Sequence, residues 1–294
     1  MQKNLIVGYI FAITVVVIWA MTFVSSKVLL EDFTPIEVLF DRFVIATLAL
    51  LILRPKALKF TSFKGELFCA LSGLFGITLY FVAENTALTL SNASNVSLIV
   101  STAPIFVAIG ALIRNRKQKL GFNLILGFIL AMIGIACISF SSLKLELNPL
   151  GDLIALSCAI VWALYSLCVD KATNMGIKTL DLTIKTFLYA TFLTVPLMGI
   201  YGYEIKFEAL LKPINICNYL FLSLLASAFS FILWTKANHF LGIVKTNICL
   251  YAVPAVTAVG AVLIIDEKLT IFNFIGMVLA IAGTVISQYK TTLR

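Results

Sequence analysis

The sequence predicts an all-α membrane protein: ten transmembrane helices forming two inverted five-helix repeats, with both termini cytoplasmic. Three observations lead there. The 294 residues are 61% hydrophobic and only 12% charged, with a mean hydropathy of +1.05, more apolar surface than a water-soluble fold of this size can hide. The apolar residues fall into runs close to the ~20 residues that a helix needs to cross the hydrocarbon core. Residues of the first half also recur, in order, in the second.

The runs follow one another with short polar or Gly/Pro-marked joints, over residues 5–30, 35–53, 66–88, 92–113 and 121–140, then 149–169, 179–201, 214–236, 242–265 and 271–289. No stretch is left over for a soluble domain. The first run begins like a signal peptide, but it is long enough to span and no small-residue cleavage site follows it, so it reads as the first helix of the mature chain. Ten passes put both ends of the chain on one side, and the basic residues decide which. Fifteen Lys and Arg residues flank the runs on the side of the termini, including Arg54, Lys56, Lys59 and Lys64 after the second run and Arg114, Arg116, Lys117 and Lys119 after the fourth. Five lie opposite: Lys27, Lys144, Lys206, Lys212 and Lys268. The formal charge of +8 therefore marks the cytoplasmic side and not a nucleic-acid surface, since no basic patch with interleaved aromatics exists.

The repeat is read without gaps over the third and fourth runs. Ala87, Ser97, Ser101 and Pro104 align onto Ala237, Asn247, Tyr251 and Pro254 at a shift of 150. Lys119-Leu120, Gly127, Ala131 and Gly134 align onto Lys268-Leu269, Gly276, Ala280 and Gly283 at 149. Trp19 aligns with Trp162 and Arg42 with Lys185 at 143. The units are residues 1–140 and 149–289. Five helices is an odd number, so the second unit enters the membrane from the opposite side, an architecture of alternating-access carriers with a substrate site near the midplane.

With these residues in view, the chain resembles the EamA-type carriers of the drug/metabolite transporter superfamily. The resemblance rests on Trp19 followed by Lys27, on Arg42, on Glu84-Asn85-Thr86-Ala87-Leu88 through Ser94-Asn95-Val96 to Ala103-Pro104, and on Pro254 to Asp266-Glu267-Lys268-Leu269, then Gly276 and Gly283. It implies a multi-pass carrier of the inner (plasma) membrane, usually an exporter of amino acids, related metabolites or drugs, with a cavity between its repeats. Where the family often has an acid before a basic-Leu pair in both halves, this chain has Glu267 in the second and Gln118 in the first.

Candidate substrate-binding residues follow from spacing and chemistry. Ser97, Ser101 and Pro104 are spaced i, i+4, i+7, as are Asn247, Tyr251 and Pro254, which puts each set on one helix face. Each proline kinks its helix and frees a backbone carbonyl that lipid cannot satisfy, so both faces are expected to look into the cavity. The alternative is hydroxyls bonded to their own backbone. Trp19 and Phe23 share a face, as do Trp162 and Tyr165, and such rings clamp apolar or flat solutes or simply pack. Tyr80 and Glu84 complete the set. A carboxylate in the third run costs on the order of 3 kcal/mol facing lipid, so Glu84 is expected to face protein or water. There it is either a proton-coupling group or the static partner of a charge network with Lys27, Asp41 and Arg42. The small-residue stripes Gly127, Ala131, Gly134 and Gly276, Ala280, Gly283 read as packing surfaces.

Other chemistry finds no footing. The six cysteines are scattered in apolar runs, and His239, the single histidine, lacks ligand-spaced partners, so no metal or cofactor is called for. A membrane enzyme would need a nucleophile, base or metal cluster at one face, and none is visible. The expected partners are a small-molecule substrate and membrane lipid, with no nucleic acid and a monomer or weak homo-oligomer. Efflux of amphipathic drugs is the alternative to metabolite export, and a channel or receptor the alternative of a different class.

Overall fold

A computed structural model describes residues 2–91, 93–114, 121–141, 148–256 and 271–288. Residues 257–265 of the ninth predicted run lie outside the described residues, as do Gln118, Lys119, Leu120, Asp266, Glu267, Lys268, Leu269 and the last residue of the second unit, Tyr289. Among the described residues every regular element is a helix. In chain order these are α1 (Gln2–Leu29), α2 (Pro35–Leu53), α3 (Phe63–Leu90), α4 (Ala93–Val100), α5 (Ala103–Arg114) and α6 (Phe122–Ser141). They continue as α7 (Pro149–Asn174), α8 (Thr179–Tyr201), α9 (Pro213–Leu241), α10 (Ile243–Val256) and α11 (Ile271–Gln288).

Five of these, α1, α3, α7, α8 and α9, are long and apolar enough to cross a membrane. Their outer faces show how the solvent is arranged. On α1, Ile6, Ile10, Ile13 and Val17 form an exposed stripe at helical spacing, while Ala12, Val15, Val16 and Ala20 on the other side are buried. Such stripes recur on α6 (Ile125, Ile129, Ile133) and α11 (Ile271, Phe274, Val278, Val285). In water they would be an aggregation surface; in lipid they are the contact surface. On α2 the ionised side chains turn the other way, with Glu37 and Arg42 buried.

Helix boundaries follow hydrogen bonding rather than hydropathy. Thr34 and Glu37 form a reciprocal capping box ahead of Pro35, and Asn148 caps α7 through the Gly151 amide at 3.0 Å, each satisfying amides that a helix start leaves open. The predicted fourth run is two helices, broken at residues 101–102, with Pro104 in the first turn of α5. In the matching place Pro254 follows a 3-10 turn, Cys249–Ala252, inside α10. Gly242, at φ 81°, lets α9 turn directly into α10, a conformation that glycine adopts without a Cβ clash. Two long helices also contain π-helical stretches that carry no mark in the sequence, Leu74–Leu79 in α3 and Phe221–Phe229 in α9.

First-half and second-half helices interleave: α1 packs on α9, α2 on α8 and α9, α3 on α7 and α8, α5 on α7, and α6 on α11. The small-residue stripes meet each other in this last pair. A Cβ on Gly127 would lie 2.5 Å from the Gly283 carbonyl oxygen, and one on Gly134 2.6 Å from that of Gly276, so only hydrogen fits and the two backbones touch.

Candidate functional site

The centre of the bundle is aromatic. The Trp19 ring on α1 meets Trp162 of α7 edge-on at 5.4 Å, Trp234 of α9 at 4.9 Å and Phe231 at 5.4 Å. Tyr80 of α3 lies 5.2 Å from Trp162. These edge-on and tilted contacts avoid the face-to-face sandwich that quadrupolar rings disfavour. The π-helical stretch of α9 helps to hold them, because the Trp19 indole donates to the Ala226 carbonyl at 2.9 Å, within the stretch where the regular ladder is interrupted.

These rings wall a cavity of about 50 Å³, room for a few water molecules. Six of the substrate-binding candidates line it: Trp19, Phe23, Tyr80, Glu84, Ser101 and Trp162. Arg42 lines it too, beside residues that sequence reasoning did not single out, among them Phe81, Val100, Phe231 and Leu250. One signal could have found Phe231 and Leu250. They are the positions matched at a shift of 150 to Phe81 and Val100.

The other candidates stand behind this wall. Ser97 is buried, and its carbonyl accepts the Ser101 hydroxyl at 2.6 Å. Asn247 accepts the Trp162 indole at 2.7 Å and donates to the Ile243 carbonyl at 2.8 Å. Its amide therefore orients a ring of the wall. Tyr165 packs across Gly76, where a Cβ would clash with the ring, and Tyr251 packs near Phe128 at 6.1 Å.

Of the four charges expected to form one network, Arg42 and Glu84 line the same cavity and Lys27 and Asp41 do not. Lys27 is exposed at the end of α1. Asp41 accepts hydroxyls from Tyr203 at 2.7 Å and Tyr219 at 3.3 Å. Arg42 and Glu84 are each 2% exposed. The Arg42 Nε donates to Ser227 at 2.7 Å, and its guanidinium carbon sits 4.4 Å from the centre of the Phe81 ring, a cation–π contact. Arg42 Nη2 and Glu84 Oε1 are buried without a hydrogen-bond partner.

Polar clusters close both ends of the bundle. At the end of the N-terminus, Arg54 pairs with Asp181, Glu66 with Lys185, and Arg114 with Asp170 at 2.5 Å. At the far end, Lys206 pairs with Glu37 at 3.0 Å and Lys212 with Asp32 at 2.7 Å, while Ser25 donates to Asn218 at 2.5 Å. The Lys212 hydrogen bond, with help from Asn215, holds the Asp32 carboxyl below its ordinary pKa. His239 lies at the end of α9 beside a polar recess of about 440 Å³ that Asn4, Asp170 and Asn238 also line.

A family model described as the EamA-like transporter family matches residues 6–140 and again residues 149–289. The chain belongs to the EamA-like transporter family and is a multi-pass protein of the plasma membrane. It is 26% identical to an uncharacterized transporter of Archaeoglobus fulgidus, over 93% of this chain and 94% of that one. It is 24% identical to an uncharacterized transporter of Bacillus subtilis, over 93% and 88%. A Streptantibioticus cattleyicolor protein named "Probable terminal-alkyne amino-acid exporter" is 24% identical over 95% of this chain and 92% of its own. A solved crystal structure aligns over 97% of this chain and 96% of that chain with a TM-score of 0.75 at 16% identity, a likeness of fold alone.

Proposed function

We propose that the chain is a secondary carrier that exports amino acids or related compounds across the plasma membrane by alternating access. Ten membrane crossings, both termini in the cytoplasm and two oppositely oriented units over residues 1–140 and 149–289 belong to this reading. The observation that carries it is the cavity wall. Trp19 and Trp162, Phe81 and Phe231, Val100 and Leu250, and Ala103 and Val253 line it as pairs of matched repeat positions. A wall that uses one pattern twice belongs to a seam between two copies.

Helix packing supports the same reading. The contacts of α1 with α9 and of α3 with α7 change places when the halves are exchanged, as do those of α2 with α9 and of α8 with α3. The ion pairs at both ends join the first half to the second. Parting the halves at one end would open the cavity there while the other end stays shut. The name of the S. cattleyicolor relative supports amino acids over other solutes. The largely aromatic wall also favours, as a second reading, efflux of flat amphipathic compounds.

Purified protein in proteoliposomes is expected to give saturable counterflow of amino acids. Counterflow of lipophilic dyes alone would select the second reading, and conduction without saturation would overturn both. Cys217, exposed near the start of α9, reports the orientation. In a variant with the other five cysteines replaced, a membrane-impermeant maleimide added to intact cells should label it; labelling only after lysis would reverse the topology. For proton coupling, Arg42, Tyr80 and Cys158 are the groups around Glu84, and Glu84→Gln with unchanged pH dependence of transport would remove the role.

A further inference from the structure

The cavity wall is apolar from both halves but polar from only one. Arg42, Tyr80, Glu84, Ser101 and Thr22 all belong to the first half, whereas the second contributes Trp162, Phe231, Leu250 and Val253. Two of the polar groups are already engaged: the Ser101 hydroxyl with the Ser97 carbonyl at 2.6 Å, and the Thr22 hydroxyl with the Trp19 carbonyl at 2.8 Å. Among the described lining residues, the buried side-chain atoms left without a partner are one donor, Arg42 Nη2, and one acceptor, Glu84 Oε1. No ion pair within 4.0 Å joins either residue to a counter-charge among the described residues.

A buried polar atom without a partner costs about 1–3 kcal/mol, and more when charged. Here a cationic donor and an anionic acceptor line one small space beside six aromatic side chains. An apolar solute would leave both atoms unpaired, and a neutral polar one would offer them only the weaker, uncharged partners. An anion would satisfy Arg42 and leave Glu84 exposed to added negative charge, and a cation would do the converse. A molecule with both charges on neighbouring atoms and an apolar side chain satisfies all of it, through charge-assisted hydrogen bonds and ring contacts.

We infer that Arg42 and Glu84 are the carboxylate and ammonium anchors of a zwitterionic substrate, an α-amino acid whose apolar side chain lies among Trp19, Phe23, Trp162 and Phe231. This rests on the carrier reading above and gives it a substrate class. The cavity is too small for such a molecule as it stands, so loading requires the halves to part.

The test is ligand-induced stabilisation of the purified full-length protein in detergent, since a ligand that binds only the folded form raises the unfolding temperature. The probes are L-phenylalanine, L-leucine, and two analogues of phenylalanine lacking one charge each, phenethylamine and 3-phenylpropionate. The amino acids are expected to stabilise saturably, and the analogues to need at least tenfold higher concentration for the same shift. In Arg42→Gln, L-phenylalanine should fall to the level of phenethylamine; in Glu84→Gln, to that of 3-phenylpropionate. The wild-type analogue series stands even if a variant fails to fold. Equal potency of the analogues, or no shift with either amino acid, overturns the assignment. Counterflow separates the two claims. Amino-acid counterflow with equally potent analogues removes the anchors and leaves the carrier, while selective binding without counterflow of any solute does the reverse.

Discussion

Arg42 and Lys185 occupy matched positions in the two halves, and each is almost wholly buried, yet they meet different fates. Lys185 is saturated: it pairs with Glu66 and donates to the Lys59 carbonyl at 2.9 Å, while Glu66 also takes the Tyr189 hydroxyl at 2.9 Å. Arg42 lies above the Phe81 ring with one nitrogen bonded to Ser227 and another unpartnered at the cavity. The difference teaches that an inherited cation can fasten the bundle in one copy and stay available in the other. What decides is whether an acid lies within reach. Glu66 does for Lys185, whereas Glu84 makes no ion pair with Arg42 among the described residues.

The largest effect should come from Lys185→Met, which strands Glu66. Loss of one partner from a buried pair costs about 3–5 kcal/mol, read as a lower unfolding temperature in detergent. Arg42→Met should cost clearly less while abolishing transport, because among the described residues Arg42 makes no ion pair whose loss would strand a partner. Equal losses at the two sites would end the comparison. In Lys185→Met/Glu66→Gln the destabilisation should shrink below that of the single variant.

Next in size are the stripes of α6 and α11, where the two copies do the same work. Gly283→Leu would drive a side chain into the Gly127 carbonyl, at 2.5 Å from the first added carbon. Overpacking of this kind costs about 1–3 kcal/mol, with Gly127→Leu alike, so a clear difference between the two would break the symmetry of this pair. Ser227→Ala removes the acceptor that aims Arg42. A hydrogen bond of about 1 kcal/mol predicts a several-fold rise in the KM of counterflow with little change in stability.

The smallest effect concerns Asp32, partly exposed and hydrogen-bonded to Lys212. Its folded pKa lies below the ordinary 3.8, so its contribution is present above that value and is lost as the pH falls through the lowered one. Wild type and Asp32→Asn should differ in unfolding temperature at neutral pH and converge in acid below 3.8. Convergence already near neutrality would show that the Lys212 contact contributes nothing.

The bounds of α2 and α8 coincide with the predicted runs 35–53 and 179–201, because a capping box, a proline or a left-handed glycine falls where the apolar run stops. The predicted run 149–169 ends earlier than α7, which continues through Asp170 and Lys171 to Asn174. Hydropathy reports where lipid ends, and backbone hydrogen bonds decide where a helix ends. The break before Pro104 is legible because proline cannot donate. The π-helical stretches are not, since a widened turn needs no particular side chain.

Within the site, Trp19, Phe23 and Trp162 are legible from their shared faces. The place of Asn247 is not, because its amide is taken by an indole 85 residues away in the chain. Asp41 is misjudged for the same reason: Tyr203 and Tyr219, its partners, come 162 and 178 residues later. A polar residue in a membrane helix announces that it needs a partner; only the packing says which.

All three tryptophans of the chain sit within one cluster, Trp19 at 5.4 Å from Trp162 and 4.9 Å from Trp234, with the latter two 6.1 Å apart. The ultraviolet emission of the native protein is consequently the emission of a single spot. Quenching or a spectral shift during turnover would register events at the seam itself, in unlabelled protein and in real time.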